Sequence, residues 1–173
     1  MKTFAGFWQR VGAFALDYIL ILGYLAIVFG LAILLDPVTS VDEWLFSNRL
    51  SAQLTAFVLA TLPITLYFSL SESSARQATW GKQRVGLQVI DSDGRRVGFW
   101  RAFARTLLKF VSWELAHTLV WWLRFEPQET SPLITVGFIA VYLLIGANII
   151  ALFVSKSRQT LYDKMTGTCV VRK

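Results

Sequence analysis

A chain of 173 residues with one cysteine and one histidine excludes an intrachain disulfide scaffold and a cysteine-built metal cluster. It is 55% hydrophobic and carries a net charge of +6, but the charges do not point to nucleic acid, because the basic residues stand between long apolar blocks. Mean hydropathy is +0.52, and that blocked pattern implies a membrane protein with one domain over residues 1–173.

The first apolar run, 11–35, is long enough to cross a bilayer. Lys2 precedes it, but the run is too long for a signal-peptide core and no small-x-small site closes it, so a retained helix is expected. Arg10 stands at its mouth and Asp17 inside it. Gly23, Ala26 and Gly30 fall on one face and suggest a close helix contact. A second span covers 53–70, with Pro63 as a kink. Segment 71–105 follows. Within it, Val85–Ile90 reads as a strand, Asp91–Gly94 as a turn and Arg95–Val97 as a returning strand. Arg101, Arg105 and Lys109 recur every four residues as one helical stripe, whose plainest use is snorkelling to anionic lipid headgroups and whose alternative use is binding a substrate. The third span, 106–125, carries Lys109, Glu114 and His117, so an amphipathic surface helix competes with a crossing one. The fourth covers 133–154 and holds Asn148, read as interhelical hydrogen-bond glue. The tail 155–173 ends in the β-prone Thr168–Val171, which is expected to join the hairpin. Cys169 within it reads as a small buried hydrophobe.

Charge decides the topology. Segment 71–105 and the tail are rich in Lys and Arg, whereas loop 36–52 holds Asp36, Asp42 and Glu43, and loop 126–132 holds Glu126 and Glu129. Four spans place every basic segment on one side, which marks it cytoplasmic. Trp8 and Trp100 would then lie at the inner interface, and Trp44, Trp121 and Trp122 at the outer one. The expected fold is an all-α polytopic membrane protein: four transmembrane helices, a small cytoplasmic β-hairpin or sheet, and both termini cytoplasmic.

A carboxylate in hydrocarbon is costly, so Asp17 needs a partner, a cavity or water. Arg10 lies about two turns, or roughly 10 Å, from it along a helix, too far for an easy direct bridge. Asp163 completes the set, at a depth that suits Arg10. Glu114 and His117 share a face of the third span with Arg124. One His and one Glu are too few ligands for a metal, so a hydrogen-bonded stripe or a proton path remains.

An Arg before the first span, an Asp within it and an Asp after the last resemble the RDD family, named for those three residues. Gln77-Ala-Thr-Trp-Gly-Lys82 and Gly86-Leu-Gln-Val-Ile-Asp91 resemble its Thr-x-Gly-Lys and Gly-Leu-x-Val stretches, with Trp80 where an aliphatic residue is usual. Leu161-Tyr-Asp-Lys-Met-Thr-Gly-Thr-Cys-Val-Val171 resembles its closing signature. The resemblance covers nearly the whole chain, and motif order and placement carry it. It implies a bacterial inner-membrane protein, with ion or solute transport proposed for some members, and makes Arg10, Asp17 and Asp163 the family residues.

Two functions follow as expectations. One is transport of an ion or small solute, with Arg10, Asp17 and Asp163 as the charged site and Glu114, His117 and Asn148 as a supporting polar face. Four helices make a small pore, so this reading calls for a homo-oligomer. The other is an assembly or regulatory module in which the triad locks helices and the basic face docks a partner or anionic lipid. No cofactor or metal is called for, the bilayer is the expected partner and nucleic acid is not. An intramembrane aspartyl hydrolase is the outsider, since two aspartates could share a proton, but no Gly-x-Gly-Asp, Ser-His-Asp, phosphate-loop or cofactor motif is present, so no enzyme is expected.

Overall fold

The structure, a computed structural model, describes residues 3–126 and 131–173. The predicted Glu129 contribution to an acidic loop lies outside them. The chain is mostly helical, in the order α1 (Phe7–Thr39), α2 (Val41–Leu45), α3 (Arg49–Ala56), a π-helical turn (Phe57–Thr61), α4 (Leu62–Ser73), α5 (Trp80–Arg84), β1 (Leu87–Asp91), α6 (Phe99–Phe125), α7 (Pro132–Val154), α8 (Leu161–Met165) and β2 (Thr168–Arg172). Among the described residues, three helices are long and apolar enough to cross a membrane: Phe7–Thr39, the continuous Arg49–Ser73 and Pro132–Val154. They expose Ile27, Ile33, Leu34, Leu143, Ile150 and Phe153, as helices facing hydrocarbon do. The predicted third span forms as α6, which has the length but also Arg101, Arg105, Lys109, Glu114 and Arg124.

Where the sequence suggests a kink at Pro63, the helix carries a π-helical turn just before it. Pro63 has no N–H to offer the Leu59 carbonyl four residues back. The helix passes this point through the π-helical turn, and the Tyr24 hydroxyl donates to that carbonyl at 2.8 Å, tying α1 to the second span. By contrast, the small-residue face of α1 is not packed tightly at its glycines. A Cβ added at Gly23 or Gly30 would touch nothing within 4 Å.

The sheet differs from the expected hairpin. β1 pairs antiparallel with β2, from Leu87 opposite Arg172 to Asp91 opposite Thr168. The returning segment contributes a single bridge, Arg96 to Ile90, because the helix cap at Gly98 ends it almost at once. The tail therefore supplies the main partner. Ala5, Leu87, Val89, Val97 and Val170 bury one face of the sheet against Ala13 and Ala102, in the first turns of α1 and α6. Ile90, Cys169 and Val171 pack with Phe4 as a second cluster, so Cys169 is the buried hydrophobe the sequence implies.

The chain repeats itself, which the sequence reading missed. Gly6-Phe7-Trp8 opens α1 and Gly98-Phe99-Trp100 opens α6. Just before them, Phe4 bridges Val171 on β2 while Arg96 bridges Ile90 on β1. The Arg172 N–H donates to the Thr3 carbonyl at 2.9 Å, and the Asp91 N–H to the Arg95 carbonyl at 3.0 Å. Thr79 caps α5 by accepting from the Lys82 N–H, and Thr160 caps α8 by accepting from the Asp163 N–H. Gly86 and Gly167 leave these short helices at φ +67° and +60°, a backbone that favours glycine. Each short helix then runs into its strand. The sheet is centred on the pair Val89–Val170, so a pseudo-two-fold axis passes there. One unit is α1–α5 with β1; the other is α6–α8 with β2. All their long helices have one end at the shared sheet.

Candidate functional site

Around the sheet end of the bundle, five ionic side chains form a buried chain. Arg10, on the first turn of α1, donates from Nη1 to Asp163 Oδ2 at 2.7 Å and from Nη2 to the Arg158 carbonyl at 2.6 Å. Arg105 on α6 donates from Nε and Nη2 to Asp163 Oδ1, both at 2.8 Å, and from Nη1 to Glu72 Oε2 at 2.7 Å. Lys82 on α5 pairs with Glu72 Oε1. Glu72 and Asp163 are 0% exposed and Arg105 2%. Burial alone would lift the Asp163 carboxyl; Arg105 and Arg10 overcome it and hold the group down at about 2. Desolvation presses the Lys82 ammonium below its ordinary range, and Glu72 opposes that.

The Arg10–Asp163 pairing is the one the sequence reading proposes. The stripe is corrected. Arg105 does not snorkel, because it bridges two carboxylates inside the protein. Lys109 lies over the Phe68 ring at 3.7 Å. Arg101 alone stays half exposed, 3.6 Å from Asp91.

Asp17 stands apart from Arg10 and Asp163. It is buried, and three donors meet it: the Tyr67 hydroxyl at 2.8 Å, the Thr79 hydroxyl at 2.5 Å and the Gly81 N–H at 2.7 Å. The Trp80 N–H in turn donates to the Tyr67 oxygen at 3.1 Å. Gly81 is required here, since a Cβ would overlap the Ala13 carbonyl oxygen and the Asp17 carboxyl carbon. Thr79-Trp-Gly-Lys82 thereby gains a physical reading. The Thr caps α5 and binds Asp17, the Gly lets α5 approach α1, and the Lys reaches Glu72.

The proposed supporting face divides. Glu114 accepts from Gln53 Nε2 at 3.1 Å and from the Thr61 hydroxyl, beside the π-helical turn. His117 Nδ1 is 3.9 Å from Glu114 Oε1, and the Trp113 ring stands edge-on to the imidazole. Arg124, predicted on that face, is exposed. Asn148 is elsewhere: it donates to the Leu144 carbonyl of its own helix at 2.9 Å and accepts from the Leu161 N–H at 3.2 Å, so it holds α8 rather than gluing spans. Among the described residues, no three His, Cys, Asp or Glu side chains gather as metal ligands.

Glu72 and Tyr67 are the site residues that sequence reasoning did not single out, while Thr79 and Lys82 entered only within a family motif and Arg105 only within the basic stripe. Beside them lies a cavity of about 310 Å³ lined by Arg10, Asp17, Lys82, Arg105 and Lys109, by Asn148, Thr160 and Tyr162, and by Phe14, Ile145 and Ile149 of α1 and α7. That volume suits a small ligand.

A multi-pass helical membrane protein, with a buried ionic network and a cavity at one end of its bundle, is the class these features define. The chain belongs to the RDD family, whose model matches residues 4–167. Two Bacillus subtilis (strain 168) proteins are similar to it. "Uncharacterized protein YxaI" is 27% identical over 120 residues, covering 65% of this chain and 80% of that protein. "Uncharacterized protein YckC" is 26% identical over 166 residues, covering 96% and 83%. No solved structure matches the chain significantly.

Proposed function

We propose that this is a bacterial inner-membrane protein that binds and moves an ion or small solute through the charged site between its two repeats. The carrying observation is the 310 Å³ cavity, lined from both repeats by Arg10, Asp17, Arg105 and Lys109. Repeat interfaces are where many transporters place their substrate. The reading includes four spans and cytoplasmic termini. It is supported by α6 starting at the sheet as α1 does, and by Trp8 and Trp100 lying exposed at that end while Trp44 is exposed at the other. As a pore it calls for a homo-oligomer; as a carrier it does not.

The test is flux of protons, sodium and potassium in proteoliposomes, comparing native protein with Asp17→Asn. Flux from native protein that falls at least tenfold in a folded Asp17→Asn variant is expected. Unchanged flux in that variant removes Asp17 from the path, and no flux from well-inserted native protein overturns transport of these ions.

A second reading rests on the saturation of Arg10, Asp17 and Asp163 by partners within the chain. It makes the triad a helix lock in an assembly or regulatory module, whose basic face docks a partner or anionic lipid. Substitutions there would then lower abundance rather than a specific activity. Neither reading assigns a catalysed reaction.

A further inference from the structure

The two repeats place different side chains at one equivalent position, and the difference suggests a ligand. In the first repeat, Asp17 of α1 sits against the start of α5, bonded to Tyr67, Thr79 and Gly81. The Trp80 N–H donates to Tyr67 there. In the second repeat the matching Leu161 N–H donates to Asn148, and Thr160 stands where Thr79 does. The position matching Asp17, counted from the Gly-Phe-Trp opening of each helix, is Lys109 on α6. Thus the second repeat has the same frame with a lysine at the position of the first repeat's carboxylate, its ammonium turned toward the rings of Phe14 and Phe68.

Among the described residues that cation makes no salt bridge. Glu72 and Asp163 are taken by Lys82, Arg105 and Arg10. Among the described residues, Lys109 has no carboxylate within 4 Å. Its ammonium instead lies over Phe68 and Phe14, at 3.7 and 4.7 Å from the ring centroids, and lines the cavity. Four bases (Arg10, Lys82, Arg105, Lys109) thus face three carboxylates (Asp17, Glu72, Asp163), leaving one positive charge in excess. Lys109 is partly buried, and a partly buried cation without a close counter-charge is costly.

We propose that the cavity binds an oxyanion, phosphate or carboxylate, carried on an apolar tail, with Lys109 as its principal ligand. The anion does in the second repeat what the Asp17 carboxylate does in the first. The tail lies against Phe14, Ile145 and Ile149, which line the cavity between α1 and α7. An anionic phospholipid has this chemistry; free phosphate has its polar half alone. This inference names the substrate class of the solute site proposed above and rests on that reading.

The test is native mass spectrometry of the detergent-purified full chain with phosphatidylglycerol, phosphatidylcholine or inorganic phosphate. One retained phosphatidylglycerol per chain is expected, with phosphatidylcholine bound at least tenfold more weakly. Lys109→Met is expected to lose at least tenfold in phosphatidylglycerol binding and Lys109→Arg to restore it, with melting curves showing both folded. Lys109→Gln replaces the Met variant if that one does not fold. Binding of inorganic phosphate that competes with phosphatidylglycerol places the oxyanion in the cavity and makes the tail dispensable. Failure of both probes to bind folded native protein, or equal binding by the neutral variant, overturns the proposal. Flux from the same preparations separates the two ideas. Flux without anion binding removes only this inference, and anion binding without flux removes only transport.

Discussion

At the scale of single residues, Arg105 carries the greatest electrostatic consequence. Among the described residues it is the one base paired with both Glu72 and Asp163, so its loss leaves each with a single basic partner, Lys82 and Arg10 respectively. Breaking a buried pair from one side costs about 3–5 kcal/mol, and Arg105→Met is expected to lose that much, read as a large fall in the melting temperature of the detergent-solubilised protein. Removing Glu72 and Lys82 together, as Glu72→Gln with Lys82→Met, should cost less than the sum of the two single changes, because Glu72→Gln alone leaves the Lys82 ammonium without its salt bridge. Asp163 adds a pH dependence with a definite sign. Its folded value of about 2 is below its ordinary 3.8. The carboxylate's contribution is therefore whole above about pH 4 and is lost as pH falls through 2, on the order of 2 kcal/mol in all. Melting temperatures are expected to drop over that window in native protein, with a shallower drop in Asp163→Asn.

At the scale of elements, the short helix-to-strand units decide how the site is assembled. Gly86 and Gly167 sit at equivalent turns with positive φ. Gly86→Ala and Gly167→Ala are each expected to destabilise by about 1 kcal/mol, and by similar amounts, since neither Cβ would meet a neighbour within 4 Å. Unequal losses in thermal melts would contradict the equivalence of the two turns. Gly81→Ala is the opposite case, where sterics dominate; about 1–3 kcal/mol is expected from overpacking against Ala13. These elements also show what was legible beforehand. The long apolar runs, the tail strand and the Arg10–Asp163 contact follow from hydropathy, β-propensity and depth. Glu72 and Arg105 did not, because an ion-pair partner has no periodicity to betray it. Glu72 merely closes an apolar run, and Arg105 falls in a regular stripe that snorkelling explains equally well. The signal that would have found them is internal: the repeated Gly-Phe-Trp, and the Thr that precedes each short helix with a Gly after it. Aligning those two halves brings α5 and α8, and therefore Lys82 and Asp163, to matching positions.

At the scale of the molecule, the pseudo-two-fold bears directly on whether α6 crosses the bilayer. Its composition is too polar for the criterion the other three long helices meet, and charge on a helix ordinarily favours a surface position. Yet Arg105 is neutralised by Glu72 and Asp163, Lys109 is shielded by aromatic rings, and Glu114 accepts from Gln53 and Thr61. The costly groups are thus turned inward, as buried charges in spanning helices are. At the far end, Arg49 pairs with Glu126 at 2.9 Å, fastening the start of the second span to the finish of α6. A surface helix would have both ends at one membrane face; a crossing helix has them at opposite faces. Single cysteines placed at exposed Trp100 and Arg124, as Trp100→Cys and Arg124→Cys in a Cys169→Ala background, distinguish the two. A membrane-impermeant thiol reagent added to intact cells is expected to label position 124 and not 100, with Trp44→Cys labelled and Trp8→Cys protected as references. Labelling of 100 and 124 from the same side would lay α6 on the surface and leave three crossings, with the repeat symmetric in backbone but not in its relation to the bilayer.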